Sequence, residues 1–388
     1  MTTEPMPATR PRNRRQLIVE AAGRLFSERG YHAASMEEIA SGVGITAAAL
    51  YRHFPNKYAL FSEIAHAMVD GLVATLDELP PEADTAELLT ALIRITVKRR
   101  AEGGVYRWEA RYLNRDDRRL LRGKFARVVG RVTEAVRREH PGERAELRVV
   151  AALGAIGSIT MHHTSIAQRR AEELLLTCAL RLVATDAARP AEGSGRPVEL
   201  PALPVARSRR AEILSAAVPL FARDGFANVT NGQIAQAVGL APSALYRHYP
   251  GKVDILAAAC MQAAGLLAQA VDQNLAGTAD PHEAVAALAA TYVGYSFEHT
   301  ALTSVAEAEF VGLPAQLQRP LILAQREHIA VWEQQLRLAR PELDPRQARV
   351  LVHAGFGVVV EAGRSMRWRD GAEQRATVAG LVVRALGL

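Results

Sequence analysis

The chain repeats itself, and no other feature limits its fold so tightly. Residues 15–61 align with residues 210–256 at a constant offset of 195, without a gap and with 18 identities in 47 positions. Whatever the first stretch folds into, the second must fold into as well, so the architecture is two equivalent units in one polypeptide. A length of 388 residues agrees, being too great for one ordinary core. Between the copies, Ala187 to Ala206 holds Pro190, Pro197, Pro201 and Pro204 together with Gly193-Ser194-Gly195. Proline and glycine at that density cannot sustain a helix, which makes 187–206 a linker, at most about 65–70 Å long when extended. The expected domains are therefore 1–57, 58–186, the linker 187–206, 207–252 and 253–388.

Each copy reads as all-α. Leu17, Ala21, Ala22, Leu25 and Phe26 recur at helical spacing, and Gly30 ends that first helix. Ser35-Met36-Glu37-Glu38 is a capping box opening a second helix to about Gly42, and Gly44 supplies the backbone freedom for a tight turn. Thr46 caps a very short third helix, Ala47 to His53, that Phe54-Pro55 stops; Asn56 caps a long fourth. The second copy repeats each device with other residues: Thr230 to Gln233 as the box, Gly239 at the turn, Pro242 in the first turn of the third helix. Two short helices joined by a glycine-containing turn form a helix-turn-helix pattern. One such corner is common in helical proteins; two matched ones are not.

Charge follows the repeat. Residues 1–60 carry eight Lys/Arg and five acidic residues, residues 207–256 six and three, so each has net +3 and together they hold the whole formal +6. Excess positive charge gathered in two equivalent places is what contact with a phosphate backbone requires. The chain has only four lysines, Lys57, Lys98, Lys124 and Lys252, and two of them stand at the equivalent N-termini of the fourth helices. A cation there opposes the helix dipole by a few tenths of a kcal/mol unless an anion, such as phosphate, is bound. An ordinary surface lysine is the competing explanation.

The segment Gly44 to Lys57, preceded by the Leu-Phe-x-x-x-Gly-Tyr stretch 25–31, resembles the DNA-binding domain of TetR-family regulators, and Gly239 to Lys252 resembles it equally. Two such units in one chain are similar to the double-TetR regulators of actinobacteria. The resemblance implies two tandem units, each a three-helix DNA-binding domain plus a helical ligand-binding and dimerisation domain. It also implies roles. Tyr51, His53, Lys57, Tyr246, His248 and Lys252 would grip phosphates. Thr46, Ala47, Ala48 and Arg52, and Ala241, Pro242, Ser243 and Arg247, would face base edges, where arginine reads guanine and small apolar groups meet thymine methyls. Ser35 and Thr230 join the DNA-facing set. Arg12, Arg14 and Arg15, with Arg207, Arg209 and Arg210, would form arms toward neighbouring phosphates or the minor groove, although a plain basic tail fits the same residues. Leu50 and Leu245 should be buried, locking the third helix in place.

The two reading helices differ, so a single chain acting as an intramolecular pseudo-dimer should prefer two unlike half-sites about one helical turn, roughly 34–36 Å, apart. Helical runs are expected at 84–101, 105–114, 115–140, 143–166 and 169–186, and at 281–299, 302–312, 314–340, 345–369 and 372–388. Small residues in the last two helices of each copy (Gly154, Ala155, Gly157; Ala354, Gly355, Gly357) permit close approach, and the resemblance makes these a four-helix interface between copies. Packing within each copy explains them too. A dimer of whole chains stays open.

Regulators of this type carry an effector cavity. Tyr106, Trp108, Arg111 and Tyr112 in the first copy, and Tyr292, Tyr295, Phe297 and Phe310 in the second, would line one for a small hydrophobic or amphipathic effector. The same aromatics suit a plain core. Adjacent His162 and His163 point about 100° apart on a helix, so no metal site is expected, and no cofactor. No nucleophile elbow, phosphate loop, dinucleotide fingerprint or zinc-protease motif occurs, which disfavours an enzyme. A ligand-binding or adaptor protein with decayed reading helices remains the rival class. Cys178 and Cys260 sit in apolar helical patterns and read as buried thiols. The absence of an uninterrupted apolar stretch of about 18 residues, and a polar N-terminus, point to a cytoplasmic protein without a membrane span.

Overall fold

A computed structural model describes residues 14–31, 34–100, 112–185 and 195–388, and among these every regular element is a helix. The first copy runs α1 (Arg14–Arg29), α2 (Met36–Gly42), α3 (Ala47–Tyr51), α4 (Lys57–Asp77), α5 (Thr85–Lys98), α6 (Arg115–Glu139), α7 (Ala145–Gly157) and α8 (Gln168–Ala184). The second runs α9 (Arg209–Asp224), α10 (Asn231–Ala237), α11 (Pro242–Leu245), α12 (Lys252–Leu275), α13 (Pro281–Glu298), α14 (Thr300–Glu309), α15 (Ala315–Ala339), α16 (Pro345–Ser365) and α17 (Ala372–Leu386). The expected run at 105–114 lies largely outside the described residues.

Each copy has its own helix-turn-helix core. Ile18, Ala22, Phe26, Ile39, Leu50, Phe54, Leu60 and Phe61 form one, and Ile213, Ala217, Phe221, Ile234, Leu245, Tyr249 and Ile255 the other. The apolar face of α1 is thus Ile18, Ala22 and Phe26, at i, i+4 and i+8; Leu17, expected on it, is 41% exposed. Leu113 and Leu121 close the first cluster and Leu313 and Leu321 the second, so the start of α6 or α15 braces each reading head. Helix α4 serves two bodies, with Leu60 to Val69 in the head and Leu72 and Leu76 in the larger regulatory core. By length and composition α4 and α12 are apolar enough to cross a membrane, against the sequence expectation. Here they are core helices, burying Ile64 and Met68, or Leu256 and Cys260, inside the fold.

The regulatory cores of the two copies fuse into one hydrophobic cluster. Helices α7 and α8 pack against α16 and α17, which makes the four-helix interface an internal one. A glycine pair meets in it: a Cβ at Gly154 would lie 2.5 Å from the carbonyl oxygen of Gly357, and a Cβ at Gly357 would strike Gly154 in return. Nearby, His162 stacks on His353 across the copies with ring centroids 4.1 Å apart. Gly355 faces Val382 and Leu386 of its own copy, and the neighbouring Phe356 joins Tyr292, His328 and Trp332 in that copy's aromatic core.

Two expected elements differ. The run 143–166 stops as α-helix at Gly157 and tightens into a 3-10 turn, Ser158–Thr160. The Ser158 hydroxyl donates to Ala155 O and that of Thr160 to Gly157 O, competing with the helical ladder. The linker is not a free tether throughout. Asn274 exchanges two hydrogen bonds with the backbone of Glu199, Pro201 O meets His299, and Val198 and Leu200 lie against Gly294 of α13. From Val198 to Pro201 the chain is strapped to the second unit, because its apolar side chains find a groove there.

Candidate nucleic-acid interface

The two heads are built by the same local chemistry. In the first, Ser35 and Glu38 form the reciprocal capping box of α2, which also holds the Glu38 carboxyl below its ordinary range; in the second, Thr230 and Gln233 do the same for α10. The turn follows the same bonding in both. Val43 N–H donates to Ala40 O, Gly44 to Ser41 O and Ile45 to Ala40 O; Val238, Gly239 and Leu240 repeat it on Ala235 and Gln236. Gly44 and Gly239 both have φ of +66°, a left-handed conformation that favours glycine. Helices of five and four residues cannot hold themselves. Thr46 caps α3, Pro242 starts α11, and Leu50 and Leu245 are fully buried beneath them.

That anchoring leaves the opposite faces exposed. Thr46, Ala48, Tyr51, Arg52 and His53 are exposed and Ala47 half-buried; Ala241, Pro242, Ser243, Tyr246 and Arg247 are exposed and His248 half-buried. Tyr51 and Tyr246 keep 47% and 54% of their surface. Asn231 donates a 3.0 Å hydrogen bond to the Tyr246 hydroxyl, whereas the first head has Met36 at the corresponding place.

Several expected contact residues have work inside the protein. Lys57 Nζ donates to Ala34 O and stands 4.7 Å over the Tyr31 ring; Lys252 Nζ donates to Phe226 O, Ala227 O and Val229 O and stands 4.4 Å over the Phe226 ring. These carbonyls answer the dipole penalty at the helix N-terminus without a phosphate, which corrects the expectation that only a bound anion would. Arg15 and Arg210 are not free arms. Each donates to a backbone carbonyl at the end of the reading helix, His53 O and His248 O, and lies over the next ring, Phe54 at 4.4 Å or Tyr249 at 4.0 Å. Arg15 also pairs with Glu63, Arg14 reaches Val43 O, and Arg209 pairs with Glu212. The hydroxyls of Ser35 and Thr230 are engaged in their capping boxes. Arg207 is exposed at the base of α9, and Arg12 falls outside the described residues.

A large cleft lies between the two copies. About 990 Å³ opens between α6 and the second copy's α9, α14 and α16, lined among others by Tyr112, Phe125, Phe221, Glu307, Glu309 and Trp368. Of the expected cavity residues, Tyr112 lines it. Tyr106, Trp108 and Arg111 lie outside the described residues. The second-copy aromatics are core: Tyr295 donates to Ala263 O, Phe297 packs on Trp368, Tyr292 joins Trp332 and Phe356, and Phe310 packs against the head cluster. Glu307 was not foreseen. Its carboxyl faces the cleft, and burial among the walls pushes it up to about 7, with Arg364 opposing. Among the described residues no group of three or more His, Cys, Asp or Glu could hold a metal, and Cys178 and Cys260 are buried thiols pushed up to about 12.

Sequence comparison matches the two heads. The family model for bacterial regulatory proteins of the tetR family fits residues 18–64 and 213–259. An HTH-type transcriptional activator, FasR of Mycolicibacterium smegmatis, is 38% identical over 85 residues, 22% of this chain and 38% of that protein. The HTH-type transcriptional repressor KstR2 of Rhodococcus jostii is 33% identical over 95 residues, 24% of this chain and 47% of that one. The chain thus spans less than half the length of these relatives. A TetR-family transcriptional regulator from Bordetella parapertussis, solved as a crystal structure, aligns at 23% identity over 47% of this chain and 95% of its own, with a TM-score of 0.43.

Proposed function

Since this chain belongs, through both of its helix-turn-helix units, to the tetR family of bacterial regulatory proteins, we propose that it is a cytoplasmic, sequence-specific transcriptional regulator in which one polypeptide serves as the dimer. The supporting observation is the pairing of two exposed, unlike reading helices with a four-helix interface contained in the chain. Arg52 and Arg247 are the base-reading cations, and Tyr51, Tyr246 and the solvent-facing histidine His53 contact phosphates. Identical heads select inverted repeats; heads carrying Thr46-Ala47-Ala48 and Ala241-Pro242-Ser243 select an operator with two different half-sites. The chain acts as a repressor and carries no enzymatic step. Its effector, a small hydrophobic or amphipathic molecule, binds in the cleft between the copies, whose volume and mixed aromatic and carboxylate lining suit one.

Binding to the promoter region of its own gene, measured by mobility shift across salt, tests the reading. Specific binding that weakens steeply with salt supports it. A protein silent on DNA would leave the adaptor class. Selection from a random duplex pool tests the symmetry, and two perfectly inverted identical half-sites would refute the pseudo-dimer operator.

A further inference from the structure

One continuous set of contacts joins the two reading heads through the middle of the molecule. Lys57 stands over the ring of Tyr31, and Tyr31 stacks on Tyr112 with centroids 5.7 Å apart and planes 29° apart. The Tyr112 hydroxyl donates to Glu309 Oε2 at 3.0 Å, crossing from the first copy to the second. The other carboxylate oxygen, Oε1, accepts the backbone N–H of Phe226 at 3.2 Å, and the Phe226 ring lies under Lys252. Glu309 is only 4% exposed. A buried carboxylate with both oxygens engaged holds its partners to a narrow geometry, because losing either bond costs a charge-assisted hydrogen bond.

The link is one-sided. Leu113-Asn114 precede α6 as Leu313-Pro314 precede α15, so Tyr112 corresponds to Gly312, which has no ring or hydroxyl with which to make the mirror bond. The turn at Phe310–Gly312 also packs against α1 of the first head, beside the same junction.

We propose that the Tyr112–Glu309 bridge sets the separation of the two reading heads and thereby selects the half-site spacing of the operator. Both are positioning residues, remote from the exposed faces of α3 and α11. The idea rests on the regulator reading, extending it from which sequences are bound to how far apart they stand. One base pair changes half-site separation by about 3.4 Å and rotates one site relative to the other, so a rigid link tolerates little variation.

Spin labels at Ser41→Cys and Gln236→Cys, equivalent exposed positions on α2 and α10, report head separation in the full chain without DNA; the two native thiols are buried. The parent should give a narrow distance distribution. Tyr112→Phe, which removes one hydroxyl, should broaden it or move its centre by several ångströms, and Glu309→Gln should do likewise. On duplexes with half-sites moved by one or two base pairs, the parent should lose at least tenfold in affinity, and both variants should lose most of that discrimination. An unchanged distance distribution and spacing profile in folded Tyr112→Phe would overturn the proposal, whether or not Glu309→Gln folds. A parent that binds no duplex sinks the regulator reading and the spacing claim together. Altered distances in that case would still identify the bridge as what places the heads.

Discussion

Lys57 and Lys252 show how one side chain can be chosen for two reasons. Their position at a helix N-terminus looks costly, yet Lys57 donates to Ala34 O and Lys252 to three backbone carbonyls ahead of α10, and an aromatic ring lies beside each ammonium group. Lys252→Met should therefore lower stability by about 1–3 kcal/mol, because charged hydrogen bonds are lost, and a urea titration reads this directly. A lysine serving phosphate alone would leave stability in DNA-free buffer unchanged. Glu307 gives a pH signature. Its folded value near 7 lies above the ordinary 4.5, so folding favours the protonated form. Stability from this group is present below 4.5, is lost as pH rises toward 7, and stays lost above. Glu307→Gln should be more stable than the parent at pH 8, by about 1–2 kcal/mol after allowing for its exposure to the cleft, and nearly equal to it at pH 4. Equal midpoints at both pH values would place the carboxyl in open water.

Among the elements, α7 and α16 meet backbone to backbone. Their backbones approach at Gly154 and Gly357 so closely that a methyl group must displace a main-chain carbonyl. Gly154→Ala should cost about 1–3 kcal/mol through overpacking, read as a lower unfolding midpoint. Gly123 in α6 is the contrasting case, since a Cβ there meets nothing within 4 Å. Gly123→Ala should stabilise by about 0.5–1 kcal/mol, the conformational entropy that glycine forfeits in a helix. The reading helices stand at the other extreme. They are too short to persist alone and are held by Leu50 or Leu245, a cap and an arginine clamp at the C-terminal end, so Arg15 and Arg210 fix the placement of α3 and α11.

For the whole molecule, a buried interface inside one chain removes the reason for association between chains. Light scattering should give the mass of a single chain, 42.0 kDa, at micromolar concentration. A stable mass of twice that would show a second interface. The fused core also predicts that both copies unfold together, in one transition by far-UV ellipticity and tryptophan fluorescence, since one cluster of side chains spans α7, α8, α16 and α17. Two separated transitions would mean that the copies hold each other only loosely.

The duplication was legible as identities at a constant offset of 195, and the capping boxes, the glycine turns and the burial of Leu50 and Leu245 because each depends on residues within about ten positions of one another. So was the exposed chemistry of the reading helices, since a face that buries leucine must present its other residues outward. On α1 the spacing places Ala22 and Phe26 on the apolar face correctly but puts Leu17 where the structure buries Ile18, because both satisfy the period. What required the folded chain is everything that joins distant segments: the Gly154–Gly357 crossing, the arginine and lysine clamps on backbone carbonyls, the strapping of Val198 to Pro201, and the bridge from Tyr112 to Glu309. Periodicity shows that a side chain is buried or exposed, but a hydrogen bond across 197 residues leaves no local trace, and only the packing of the two copies brings its donor and acceptor to 3.0 Å.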